Sequence, residues 1–226
     1  MQLRDLTRVT DLLSPSPAPY HIESVPTRRR RRVSVAITLA LGTVLLALAL
    51  ATGPEDKRFY GLTFALAFAW LVGAWLSGPL HLGHWFDRRD LVRPTLLALL
   101  SFALFVVGDL VFMQVPVLAR QVTELISRAD TGAKSLVLAV ALVNAVGEEL
   151  FFRGALYSAF GRNHPALWST AAYTASTAFT GNVALVVAGA VMGTLFALER
   201  RATRGILAPL VTHLVWSVLM ITLLPR

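Results

Sequence analysis

The fold this sequence predicts is all-α: a polytopic transmembrane helical bundle of about seven spans. Three observations predict it. Of 226 residues, 55% are hydrophobic and 15% are charged, and the mean hydropathy is +0.62, which leaves too little polar surface to wrap a water-soluble core. The apolar residues gather in uninterrupted stretches near the ~20 residues that one helical crossing needs. Basic residues are also divided unevenly between the segments that join those stretches.

Val33–Ala51 is the first stretch, 19 residues without a charge, or ~28 Å as helix. A cleaved signal sequence is the rival reading, with Arg28–Arg32 as its basic start and Ala49-Leu50-Ala51 as its cleavage site. The apolar core is too long for that, and a 32-residue segment precedes it. Phe59–Leu80 predicts span two, and Pro94–Ala119, interrupted only by Asp109, predicts span three. Span four begins at Ser135 and runs into Glu148 and Glu149. From Pro165 to Leu198 there are 34 residues without a charge, and Gly181-Asn182 divides them into spans five and six. Gly205–Pro225 completes the set with a single His.

With seven spans, one side collects Arg4, Arg8, Arg28 to Arg32, Arg88, Arg89, Arg93, Arg162, Arg200, Arg201 and Arg204, a total of 14. The other collects Lys57, Arg58, Arg120, Arg128, Lys134 and Arg226, a total of 6. Positive charge faces the cytoplasm, so the N-terminus is expected inside and the C-terminus outside a plasma membrane. The sparing use of Lys, 2 of 21 basic residues, points to a GC-rich bacterial source.

The chain divides accordingly into a disordered basic cytoplasmic tail (1–32), three N-terminal spans (33–119), an external amphipathic linker (120–134) and a four-span unit (135–226). The tail carries Ser14-Pro15-Ser16-Pro17-Ala18-Pro19 and five consecutive arginines with no periodic apolar face. A formal charge of +8 points in a membrane protein to anionic lipid, through Arg28–Arg32, rather than to nucleic acid. Cysteine is absent, which excludes disulfides, a thiolate nucleophile and sulfur-ligated metal sites. No internal repeat is visible, which weakens an inverted-repeat transporter reading.

Ionisable groups inside spans are expensive and mark function. Here they are Asp109, Glu148, Glu149, Arg153 and His213. Asn144 and Glu148 stand at i,i+4, and Glu149 and Arg153 stand at i,i+4 on the adjoining face. Glu148 is left without a local cation, the setting in which a carboxylate becomes a competent base. Glu149–Arg153 reads equally as a structural ion pair, and His213 as an interhelical hydrogen-bonding residue. Asp109, ~22 Å from the inner end of its span, lies apart from the other four.

Gly147-Glu148-Glu149-Leu150-Phe151-Phe152-Arg153-Gly154 resembles the E-E-x-x-x-R-G signature of the CAAX prenyl protease and bacteriocin-processing (CPBP) family of intramembrane endopeptidases. Leu207-Ala208-Pro209-Leu210-Val211-Thr212-His213 resembles that family's last helix, and the likeness covers roughly residues 135–220, within a protease core of four spans. The chain departs from the pattern twice. In the second motif, F-x-x-x-H, Tyr173 stands at the aromatic position and Thr177 at the histidine; in the last, Ser217 replaces Asn. His164, in a loop, does not stand in for the missing histidine.

The resemblance implies peptide hydrolysis by water activated on Glu148, with Arg153 orienting Glu149 and with His213 and Ser217 donating to the carbonyl oxygen. The substrate is expected to be a membrane-embedded or lipidated peptide or protein, and no cofactor is expected. A zinc reading would draw on Glu148 and His213, with Glu149 as the remaining ligand at that depth. Because Thr cannot relay a proton, a second reading is a catalytically impaired member that binds membrane helices as a scaffold. A third is a solute or proton pathway through Asp109 and the two glutamates.

Overall fold

The computed structural model describes residues 23–53, 55–83, 88–130 and 133–224. Among them all regular structure is helical: α1 (Val25–Ala51), α2 (Arg58–Ser77), a short 3-10 turn at Arg88–Leu91, α3 (Val92–Phe112), α4 (Pro116–Asp130), α5 (Lys134–Glu148), a π-helical segment (Glu149–Leu156), α6 (Tyr157–Phe160), α7 (Pro165–Ala178), α8 (Val183–Thr203) and α9 (Leu207–Leu223). The all-α bundle is therefore as the sequence predicts. Among the described residues five helices are long and apolar enough to cross a membrane, counting Lys134–Phe160 as one. Two of the expected spans are shorter: α9 has 17 residues and α7 has 14, so α7 rises only ~21 Å.

Burial is inverted relative to a water-soluble helix. On α1 the exposed stripe is Val33, Ile37, Leu41, Val44 and Leu48, whereas Val35, Thr38, Gly42 and Ala49 face inward. Small and polar residues let membrane helices approach and bond, while the long aliphatic ones meet lipid. α3 repeats the pattern with Leu96, Leu100, Leu104 and Val107 outside and Ala98 and Ser101 inside.

α1 and α2 form one hairpin and α7 and α8 another; α5 packs against α2 and α9, and α9 reaches α3 and α8. The densest core lies where α2 meets the π segment. Trp70 stacks on Phe151 at 4.6 Å and meets Phe152 at 5.0 Å, with Val35, Leu66, Ala74 and Leu156 around them. Gly147 permits this approach, since a Cβ there would lie 3.1 Å from the Ala67 carbonyl and 3.2 Å from the Trp70 Cβ. It places α5 directly against α2 one residue before Glu148.

Three expectations need correction. Helix α1 starts at Val25 rather than Val33: Ser24 accepts the Thr27 amide and Pro26 sits in the first turn, so Arg28–Arg32 are helical, and of the expected tail only residues 1–22 lie outside the described residues. Arg31 is fully buried, holding Glu23 at 2.5 Å and donating to the Pro79 carbonyl at 2.9 Å and to Ser77 at 3.2 Å. It ties α1 to the end of α2 and is withdrawn from any lipid-facing role. Second, α3 ends at Phe112 and a separate helix, α4, begins at Pro116, because Pro cannot continue a helix but suits its first turn. Third, the helix after Asn182 continues past Leu198 to Thr203, with Glu199 and Arg200 buried within it, although the charges read as the start of a loop.

Candidate functional site

The two carboxylates of the signature sit at the junction of α5 and the π segment, where the backbone widens. Such segments recur at functional sites because they re-aim successive side chains. Neighbouring helices brace this one: Ser169 donates to the Phe152 carbonyl at 2.8 Å and Arg200 Nε to the Arg153 carbonyl at 2.9 Å.

Glu148 and Glu149 then face different partners. Tyr173 donates its hydroxyl to Glu148 Oε2 at 2.7 Å, bringing α7 to the pair. Glu149, completely buried, shares Oε1 between His213 Nδ1 at 3.0 Å and Arg153 Nη1 at 3.2 Å, bringing α9 to it. Arg153 is itself completely buried; it lies over the Tyr173 ring at 4.8 Å and the Phe196 ring at 5.0 Å, and reaches the Gly193 carbonyl at 3.4 Å. Phe196 also stacks on His213, at 4.7 Å and 27°. Two aromatic faces and a carboxylate one turn back offset part of the cost of burying this cation.

Residues 131–219 match the family described as Type II CAAX prenyl endopeptidase Rce1-like. The match covers the part of the chain that also carries the signature resembling the CPBP family. No curated protein and no solved structure matches the chain.

Within the matched region, four helical elements supply the predicted residues, and five of those residues meet: Glu148, Glu149, Arg153, Tyr173 and His213. The other predicted residues sit differently. Thr177 is buried, donates back to the Thr174 carbonyl at 2.8 Å, and packs on Gly189, where a Cβ would stand 3.0 Å from its hydroxyl. Ser217 is buried one turn beyond His213. Asn144 turns toward α2, donating to the Thr63 carbonyl at 3.2 Å and to Val140 at 2.9 Å. His164 caps the start of α7 in the left-handed region, φ 47°, nine residues before Tyr173. Asp109 lines a separate cavity of about 330 Å³ between α3, α4, α8 and α9, with Trp216, Leu125 and Val187. Among the described residues, no three His, Cys, Asp or Glu side chains are grouped to hold a metal ion.

The structure adds members the sequence reading passed over. Glu199 is 2% exposed and meets Thr212 at 2.8 Å; Thr212 also reaches the Pro94 carbonyl at 3.2 Å. This link fastens α8, α9 and the start of α3 beside the Glu149–His213 contact. Its signal was present in the sequence, since Phe196, Glu199 and Arg200 fall at i, i+3 and i+4 and continue one helical face.

Proposed function

We propose that this protein is an intramembrane endopeptidase of the CPBP kind, cleaving a membrane-embedded or lipidated peptide by glutamate-activated water. The observation that carries the reading is the different setting of the adjacent carboxylates: among the described residues Glu148 is half-buried and hydrogen-bonded to Tyr173 alone, whereas Glu149 is committed to Arg153 and His213. Glu148 takes a proton from water, the resulting hydroxide attacks the scissile carbonyl, and the same proton passes to the departing amine. Tyr173 fixes the carboxylate and, as the bond breaks, its hydroxyl is placed to donate to developing negative charge. Glu149 accepts from His213 Nδ1–H and fixes the ring; donation from Nε2 to the oxyanion then requires the imidazolium form, and Ser217 one turn on is a second donor. Arg153 is a positioning residue for Glu149. The uneven basic residues support an N-terminus in the cytoplasm and a site opening to that side of a plasma membrane, and the sparing use of Lys supports a bacterial source.

A specific observation favours a second reading, an impaired member that binds membrane helices. Thr177, at the position of the second-motif histidine, is bonded to its own helix and packed on Gly189, so no proton relay stands there. Purified, reconstituted protein offered a panel of membrane-anchored reporter peptides separates the two. Cleavage by the natural chain that is lost in Glu148→Gln supports the peptidase. Absence of cleavage by the natural chain, with activity appearing in Thr177→His, supports the binder.

A further inference from the structure

A groove of about 670 Å³ opens at the end of the α1–α2 hairpin, on the side of the arginine run. One end holds Arg30, and its walls are apolar: Leu71, Trp75, Pro79, Leu80 and Leu150. Trp75 is 76% exposed although it is the largest side chain there, the placement that an indole takes at the boundary of headgroups and acyl chains. Arg30 lies over the end of α2, 3.0 Å from where a Cβ on Gly78 would stand; Gly78, at φ +115°, leaves that space open. The one nearby carboxylate among the described residues, Glu23, is taken by Arg31. Arg30 therefore has no acidic partner among the described residues, and it joins exposed Arg28, Arg29 and Arg32 in the first turns of α1.

We propose that this groove binds one anionic phospholipid, its phosphate on Arg30 and an acyl chain along Leu71, Trp75 and Leu150. Charge complementarity selects the headgroup, and the apolar walls select a lipid over free phosphate. The site also reaches the signature helix. Leu150 directly follows Glu149 within the π segment, and Leu80 stands 3.2 Å from where a Cβ on Gly154 would lie, so one groove wall belongs to the segment that carries Glu149 and Arg153 and another packs on it. An occupant would stiffen that segment. Lipid binding itself does not rest on the peptidase reading.

The test uses the full chain in neutral detergent, titrated with short-chain phosphatidylglycerol or with phosphatidylcholine of equal chain length. Bound lipid is counted by native mass spectrometry and stability is followed by thermal unfolding. One phosphatidylglycerol per chain, preferred over phosphatidylcholine and raising the melting temperature, is the expected result. Arg30→Gln is expected to weaken it about fivefold, Trp75→Ala to weaken it as well, and Arg29→Gln, outside the groove, to leave it unchanged. Both arginine variants alter exposed side chains, and circular dichroism confirms their fold. Equal loss in Arg29→Gln and Arg30→Gln would show diffuse attraction and overturn the site. So would equal retention of the two lipids, or an equal thermal shift with inorganic phosphate alone.

Discussion

Glu149 and His213, 64 residues apart, meet at 3.0 Å in the centre of the bundle, and Arg153 closes on the same carboxylate oxygen from one helical turn away. The contact pins α9 to the helix carrying the signature. On the proposed reading, Glu149 is the structural member of the pair and Glu148 the one left for chemistry.

Glu149→Gln is expected to cost about 3–5 kcal/mol, because it leaves Arg153 buried without a counter-charge. Thermal or denaturant unfolding in detergent measures the loss. Glu148→Gln, at a half-buried position hydrogen-bonded among the described residues to Tyr173 alone, is expected to unfold close to the natural chain while losing turnover. Equal destabilisation by the two variants would contradict the division of roles.

Tyr173→Phe removes a hydroxyl that donates to Glu148 at 2.7 Å. A hydrogen bond to a charged group is worth ~1.5–3 kcal/mol, so reporter cleavage is expected to fall by about 10–100-fold. Substrate binding should change little, and a kcat/KM against KM comparison reads the difference. A variant with unchanged kcat would remove Tyr173 from the mechanism.

Arg31→Met is expected to destabilise the α1–α2 hairpin by about 3 kcal/mol, since it strands Glu23 and frees the contacts to Ser77 and Pro79. Limited proteolysis near the start of α1, compared between Arg31→Met and Arg29→Met, checks it. Cleavage at the same rate in both would show that Arg31 is no anchor.

Asp109 lines an apolar cavity, and its Oδ1 has no hydrogen-bond partner among the described residues. Asp109→Leu is expected to raise stability by about 1 kcal/mol, because an unmet buried acceptor costs ~1–3 kcal/mol. The melting temperature in detergent measures this. A fall on substitution would instead mean that the carboxylate has a partner in the membrane, the requirement of the solute-pathway reading.

The departures from the expected helices share a physical origin. By sequence, charges mark the ends of spans; at Arg31, Glu199 and Arg200 they lie buried within helices. Arg31 finds a carboxylate, a hydroxyl and a carbonyl; Glu199 finds Thr212; Arg200 finds the Arg153 carbonyl and lies over the Tyr157 ring at 5.0 Å. A local window cannot see partners supplied by helices that are distant in the chain. Proline and glycine, in contrast, act through their own backbone, so the Gly181-Asn182 break was visible beforehand. Pro116 was equally legible by that logic, but the surrounding apolar run masked it.

Composition and uninterrupted apolar length determined on their own that the chain folds as a helical membrane bundle, because the hydrocarbon layer demands satisfied backbones and long apolar surfaces wherever the sequence supplies them. The spacing of Glu148, Glu149 and Arg153 likewise determined the local ion pair, since three and four residues along a helix are neighbours. Only the tertiary structure decided which glutamate His213 takes, that Tyr173 holds the other, and that Thr177 turns away to Gly189. Those outcomes depend on the rotation and depth of α7 and α9 against the π segment. Packing between helices sets both quantities, and no periodicity within a single helix records them.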